Sequence, residues 1–209
     1  VAKLEDDAEA GIAAILAAGV TVGLNGAVLF ASAFASLAAA DAAAAAANVS
    51  IFLDNDYTLA GDTTLAAHWV YGGRKITLNG HTLTMTSFFA PARQMFDVSS
   101  GGTFVAPVPF PAFAELFGAV GDGTTDDTTA LQFTVDWISA NGGGTLQGLG
   151  KIYVGNIVVK KGVTLRGNAG GYGYDSSNPV PETTFKAAGT GVVVDTESGT
   201  GIHGIHLAN

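Results

Sequence analysis

Three carboxylates crowd one short stretch of this chain, at Asp122, Asp126 and Asp127. Paired carboxyl groups carry out glycoside hydrolysis, and the distance between them sets whether configuration is retained or inverted. The same stretch runs into an amphipathic segment from Thr128 to Ala140. An aspartate at a helix start accepts hydrogen bonds from backbone N–H groups that have no partner within the helix. Asp126 and Asp127 are therefore read as caps and not as a catalytic pair. A calcium site around Asp122 would need roughly six to eight oxygen ligands, more than the segment supplies.

The remaining residues with chemical potential are read the same way. His203 and His206 are placed on one strand at an odd separation, which sends their side chains to opposite faces. They are not expected to share a metal, and His68 and His81 have no ligand-like spacing. Lys160-Lys161 is read as a solvated turn. Gly142-Gly143-Gly144 follows a helix instead of preceding one, which is the wrong context for a phosphate loop. Trp69 and Trp137 would stack on sugars only if exposed, and Trp137 adjoins a core stripe. Asn48-Val49-Ser50 matches a glycosylation pattern, which matters only on a secretory route. No catalytic residue, cofactor site or metal site is expected, and whether the longer protein is an enzyme is left open.

Composition narrows the classes. The 209 residues carry a net charge of −9, with 48% hydrophobic and only 13% charged residues. Nucleic-acid binding needs clustered Lys and Arg, so it is excluded as an expectation. An acidic surface suits a neutral glycan better than an anionic one. The high apolar fraction suggests that copies of the chain cover one another. The absence of cysteine removes disulfides and thiolate metal sites. Val1 and a strand running to Asn209 suggest cuts in a longer protein.

The elements fall into zones. Residues 1–48 are alanine-rich and read as helices, broken at Asn25-Gly26, with Phe30, Phe34 and Leu37 on one oligomer-packing stripe. A trimeric bundle is expected, because alanine faces bury little area unless helices pack closely. An apolar run from Gly11 to Ala40 leaves a membrane span as a rival reading. Residues 49–106 read as a small β-rich domain that binds a larger particle, with Asn79-Gly80 marking a hairpin or tight turn between alternating runs. The prolines of 107–112 form an extended connector. Beyond Phe113, Leu131, Val135 and Ile138 mark a helix, and short strands recur at about 20 residues, a solenoid period. Leu165, Phe185 and Ile205 are read as one such series.

The segment Phe117-Gly118-Ala119-Val120-Gly121-Asp122-Gly123-Thr124-Thr125-Asp126-Asp127, followed by Gly143-Gly144-Thr145-Leu146 and Gly150-Lys151-Ile152-Tyr153-Val154, resembles the opening of the pectate-lyase-like superfamily. Gly162-Val163-Thr164-Leu165-Arg166-Gly167 is similar to its next element. One departure is local: Gln147-Gly148-Leu149-Gly150 stands where that family often has Leu-Pro-Ala-Gly. The upstream segments Trp69 to Gly73 and Ile76 to Gly80 also look like those of phage tailspikes. The resemblance covers residues 113–209 and implies the capping helix and first coils of a right-handed parallel β-helix. Phe117, Gly118, Gly121, Asp122, Gly123, Asp126 and Asp127 would form its opening motif.

The resemblance implies a mainly β virion component of a phage tail, the N-terminal part of a tailspike or tail fibre. Its expected partners are itself as a homotrimer, other tail proteins, and a bacterial surface polysaccharide through the full-length protein. An alternative is part of a polysaccharide depolymerase, a glycan lyase or hydrolase, with its active site beyond residue 209. A second alternative is a membrane-anchored bacterial β-helical adhesin.

Overall fold

The computed structural model describes residues 20–23, 26–67, 69–71, 73–87, 92–108, 111–149, 151–167, 183–187, 194–196, 200–203 and 205–208. Over these residues the chain is mainly β, with two helices, several small parallel sheets and no closed barrel. It divides into two compact units, one of residues 1–89 and 102–106, the other of residues 90–101 and 107–209.

The first unit opens with β1 (Val20–Gly23) and β2 (Gly26–Phe30), an antiparallel pair in which Val20 faces Leu29 and Gly23 faces Gly26. A helical reading of Val20–Phe30 is thus corrected. Val20, Thr21, Val22 and Val28 are β-branched and favour extended backbone, and Gly26 begins a strand instead of ending a helix. A continuous membrane helix over Gly11–Ala40 is ruled out by the same strands. No helix among the described residues is long and apolar enough to cross a membrane. The expected helix before Gly19 lies outside the described residues.

After a 3-10 turn at Ala31–Ala33 comes α1 (Leu37–Ala47), then β3 (Ser50–Leu53). Strands β2 and β3 are parallel, and parallel neighbours need a crossover, here supplied by α1. Ser36 starts the helix by accepting from Ala39 N at 3.1 Å, and Asn48 ends it in the left-handed conformation. Leu37, Ala40, Asp41 and Ala44 form its buried face. Alanine alone would anchor this face weakly. Asp41 adds three bonds, accepting from Ala66 N (2.8 Å), Ala67 N (2.9 Å) and Trp69 Nε1 (2.9 Å).

The expected oligomer stripe is therefore dispersed. Phe30 lies on β2 with its ring edge-on to Phe52 at 5.6 Å, Phe34 is extended after the 3-10 turn, and Leu37 is buried at the start of α1. Only Leu37 is helical.

The unit continues with β4 (Tyr57–Thr58), β5 (Thr63–Leu65), β6 (Trp69–Tyr71), β7 (Ile76–Thr77) and β8 (Thr82–Met85). β9 (Phe96–Asp97) belongs to the second unit, and β10 (Thr103–Val105) returns to the first. The pairs β3–β6, β4–β7, β5–β8 and β8–β10 are all parallel. Side chains staple successive passes: Asp56 Oδ1 accepts from Lys75 N, Asp62 Oδ1 from Thr82 N, and Asn79 Nδ2 donates to Leu59 O.

Asn79-Gly80 forms a tight turn, with both residues at positive φ and His81 N bonded to Leu78 O at 3.0 Å. It is not a hairpin. Its flanking strands enter different sheets, β7 beside β4 and β8 between β5 and β10.

In the second unit the 3-10 turn Ala114–Phe117 leads to β11 (Asp122–Asp126) and α2 (Thr128–Ala140). Leu131, Val135 and Ile138 are buried on α2, at the helical spacing that their sequence positions suggest. Phe117 packs between Phe133 (4.7 Å between centroids) and Trp137 (5.3 Å, edge-on). The helix stops at Asn141, and Gly143 at φ 96° passes so close to Gly162 that a Cβ would lie 2.5 Å from its carbonyl oxygen.

Then follow β12 (Gly144–Gln147), β13 (Ile152–Val154) and β14 (Ile157–Val159). Next are β15 (Val163–Arg166), β16 (Thr183–Lys186) and β17 (Val194–Thr196), and finally β18 (Gly201–His203) and β19 (Ile205–Ala208). These strands enter three parallel sheets in a repeating order: β12-β15-β18, β11-β13-β16-β19 and β14-β17. Ala112 joins Leu146 in an isolated parallel bridge, so the proline connector touches a ladder before it ends.

The true register corrects the expected series of Leu165, Phe185 and Ile205. Leu165 aligns with Leu146 and Ile202, whereas Phe185 aligns with Tyr153 and Leu207. Leu165 and Phe185 occupy different sheets. The strands are unevenly spaced along the chain, so a fixed period misassigns them.

Candidate functional site

The opening motif is a strand, a loop and a helix start knitted together by its own carboxylates. Gly118, at φ 104°, closes the 3-10 turn by donating to Glu115 O at 3.1 Å. Gly121, at φ 66°, lies so close to Lys151 that a Cβ would come within 2.8 Å of its side chain. Phe117 is buried in the aromatic cluster, and Gly123 is a further positive-φ residue within β11.

Each aspartate has a separate task. Asp122 accepts from Thr124 N (2.8 Å), Thr125 N (2.7 Å) and both threonine hydroxyls. The Thr125 and Thr124 backbone bonds hold its carboxyl far below the usual carboxylate range. Asp126 accepts from Thr128 N at 2.9 Å, and bonds from Thr128 hold its carboxyl low as well. It caps α2. Asp127 occupies the N-cap position but makes no cap bond with its side chain. Its buried carboxylate turns back to accept from Val120 N (2.7 Å), Gly121 N (3.2 Å) and Val154 N (3.4 Å). Burial pushes its pKa up, against the lowering effect of those three bonds. Asp127 thus ties the Val120-Gly121 loop to the end of β13.

Beside this tie lies a cluster that the sequence did not single out. Glu115 is 3% exposed, with Oε1 accepting from Tyr153 Oη at 2.6 Å and facing Lys151 Nζ at 3.2 Å. Lys151 Nζ also donates to Val120 O at 3.2 Å. Glu115 Oε2 has no hydrogen-bond partner among the described residues. Burial, followed by the charge of Glu115, pushes the Tyr153 phenol far above its ordinary value. It is a neutral donor to a buried acid. An acid within the apolar run Ala112–Phe117 was a visible signal. Its partners lie 36 and 38 residues downstream, at Lys151 and Tyr153, and no local pattern links them.

Chemically, these groups act on the chain itself. Asp127 and Glu115 are buried, and Asp122 and Asp126 are engaged by neighbouring N–H and hydroxyl groups. Paired-carboxylate hydrolysis requires two carboxyls flanking an accessible bond, a geometry these four do not offer. No group of three or more His, Asp or Glu side chains among the described residues is arranged to hold a metal.

The histidine reading needs one correction. His203 ends β18 and His206 lies on β19, so they sit on consecutive strands in different sheets and not on one strand. His81 Nδ1 stands 4.0 Å from Asp62 Oδ1, and His68 is outside the described residues. Neither Trp69 nor Trp137 is available for sugar stacking: both are buried, and Trp69 is bonded to Asp41. Lys160 pairs with Asp136 at 2.9 Å, and Lys161 O accepts from Ser139 Oγ, so this turn is fastened to α2. Comparison with family models, with curated proteins and with solved structures gives no match to this chain.

Proposed function

We propose that the chain is the leading structural part of a phage tailspike or tail fibre. It anchors the spike to other tail proteins in the virion, self-associates as a homotrimer and feeds into a right-handed parallel β-helix. The longer protein recognises a bacterial surface polysaccharide through that helix. One observation carries the reading: successive strands visit three parallel sheets in the same order, with Leu146, Leu165 and Ile202 in register in one stack. The motif from Phe117 to Asp127 adds support, because its side chains fasten the entry of those strands to α2. A helix over the first coil protects strand edges that would otherwise recruit other chains. In this reading the carboxylates here are structural, and any depolymerase chemistry belongs to later coils.

Light scattering on the purified chain tests the assembly. The expected mass at micromolar concentration is three times that of the 21.0 kDa chain. A clean monomer would refute trimeric attachment. Incubating this chain and the longer protein with host capsule or lipopolysaccharide tests the division of labour. Glycan release by the short chain alone would overturn its structural assignment.

A further inference from the structure

Asparagine followed by glycine is open to attack from within the chain, because a glycine has no side chain to shield its backbone nitrogen. Two such pairs fall wholly among the described residues, Asn79-Gly80 and Asn141-Gly142. All four residues are exposed, so water reaches both pairs. Each asparagine also donates its side-chain amide to a backbone carbonyl, Asn79 Nδ2 to Leu59 O at 3.1 Å and Asn141 Nδ2 to Trp137 O at 2.8 Å. Neither exposure nor the side-chain bond tells the pairs apart.

The glycine nitrogens do. Gly142 N donates to Ser139 O at 3.2 Å, and Gly143 N follows it onto Ile138 O at 2.9 Å. These bonds use up carbonyls at the end of α2, as helix ends require. Gly80 N has no acceptor among the described residues, because the Asn79-Gly80 turn is closed by the next residue, His81 N on Leu78 O. Asn79 and Gly80 both stand at positive φ, 52° and 79°, the backbone of a tight Asn-Gly turn. A Cβ at Gly80 would meet nothing within 4 Å. The nitrogen beside Asn79 is therefore unbonded and uncrowded.

We propose that Asn79 is a site of spontaneous deamidation, and that Asn141 is protected from it by the end of α2. Gly80 N gives its proton to base and its nitrogen bonds to Asn79 Cγ. The Cγ–Nδ2 bond breaks, and ammonia leaves after taking up a proton. Water then opens the succinimide ring at one carbonyl or the other, giving aspartate or isoaspartate. Either product removes the Nδ2 donor from Leu59 O and sets a carboxylate near it, acceptor against acceptor. Leu59 is tied to the next pass at both ends of its peptide group, since its N–H donates to Thr77 O at 3.0 Å. Deamidation thus releases one half of a clasp between successive passes. Isoaspartate also lengthens the backbone by a methylene at the turn between β7 and β8.

Peptide mapping by mass spectrometry, after incubating the folded 209-residue chain at mildly alkaline pH, is the test. Asn79 should be converted roughly two- to tenfold faster than Asn141, because Gly142 N must first give up a hydrogen bond. Isoaspartate should appear at position 79, the mark of passage through the ring. In urea the two rates should converge. Equal rates in the folded chain, the same ratio persisting in urea, or aspartate at position 79 without isoaspartate would each overturn the proposal. Asn79→Asp imitates one product and should lower the Tm by roughly 2–4 °C, the shift for one lost hydrogen bond in a chain of this size. An unchanged Tm would overturn the part assigned to the Leu59 clasp.

Discussion

Replacing Tyr153 with Phe isolates one hydrogen bond to a buried acid. The Tyr153 ring is 1% exposed and packs 5.4 Å from Phe185, contacts that phenylalanine preserves. What disappears is the 2.6 Å bond to Glu115 Oε1. Among the described residues Oε2 already has no partner, so of these Glu115 would keep only Lys151, whose side chain is 37% exposed. A hydrogen bond to a charged group contributes about 1.5–3 kcal/mol. The upper half of that range applies, because the acceptor is buried and water cannot readily replace the phenol. Glu115→Gln should be milder, within about 1 kcal/mol of wild type, since the amide oxygen still accepts from Tyr153 and a buried charge is removed. The two changes should couple by roughly 1 kcal/mol in a double-mutant cycle. Urea denaturation followed by near-ultraviolet dichroism measures all three. Tyr153→Phe lying within about 0.5 kcal/mol of wild type, or Glu115→Gln costing more than Tyr153→Phe, would refute the reasoning. The alkaline limb gives a second check. Tyr153 holds its proton more tightly in the folded state, so its contribution is complete below the unfolded tyrosine value of about 10 and is lost as pH rises above it. The Phe variant should therefore lose less stability than wild type as pH rises above about 10.

Three further outcomes are expected. Asp41→Ala removes the acceptor of two backbone N–H groups and the Trp69 indole; a loss of about 3–5 kcal/mol and a red-shifted tryptophan emission should follow, and a wild-type spectrum and midpoint would contradict it. Asp122 is held below its ordinary value, so its contribution is present above the unfolded value of about 3.9 and is lost as pH falls; the Tm gap between wild type and Asp122→Asn should widen from pH 2 to pH 5, and a constant gap would exclude the bonds from Thr124 and Thr125 as its cause. Gly143→Ala forces a Cβ to within 2.5 Å of Gly162 O at φ 96°; a cost above about 1 kcal/mol is expected, and a neutral result in thermal melts would contradict the close approach of those two turns.

The parts of the fold legible in the sequence are those that local spacing encodes. Leu131, Val135 and Ile138 recur at helical intervals, and α2 buries them. Alternation from Ile76 to Met85 marked β7 and β8. The turn at Asn79-Gly80 was equally clear, but a turn signal does not name the partner of the strand it releases. Parallel stacking is visible only when Tyr57-Thr58 is set beside Ile76-Thr77, the register in which β4 meets β7, and no local pattern links those two segments. Val20–Phe30 failed for a different reason: short apolar runs do not separate strand from buried helix, and the surrounding alanines favoured helix.

At the site, the sequence marked the aspartates without distinguishing them. Asp126 caps α2, whereas Asp127, its immediate neighbour, is turned towards β13 by the buried N–H groups of Val120 and Gly121. That difference depends on a strand 27 residues away. Glu115 and Tyr153 were missed because their meeting depends on how segments 38 residues apart are brought together, which composition and periodicity do not carry.

Engineered disulfides give the most direct access to that register, because the chain has no cysteine of its own. Thr145 and Thr164 are parallel partners on β12 and β15, and strand neighbours at about 4.8 Å fall within the 4.4–6.8 Å Cα range that a disulfide spans. Oxidising Thr145→Cys/Thr164→Cys should close an intramolecular bond in nearly every molecule, while the offset pair Thr145→Cys/Arg166→Cys should stay reduced. Closure of the offset pair with failure of the matched one would mean that these strands are not stacked in parallel coils.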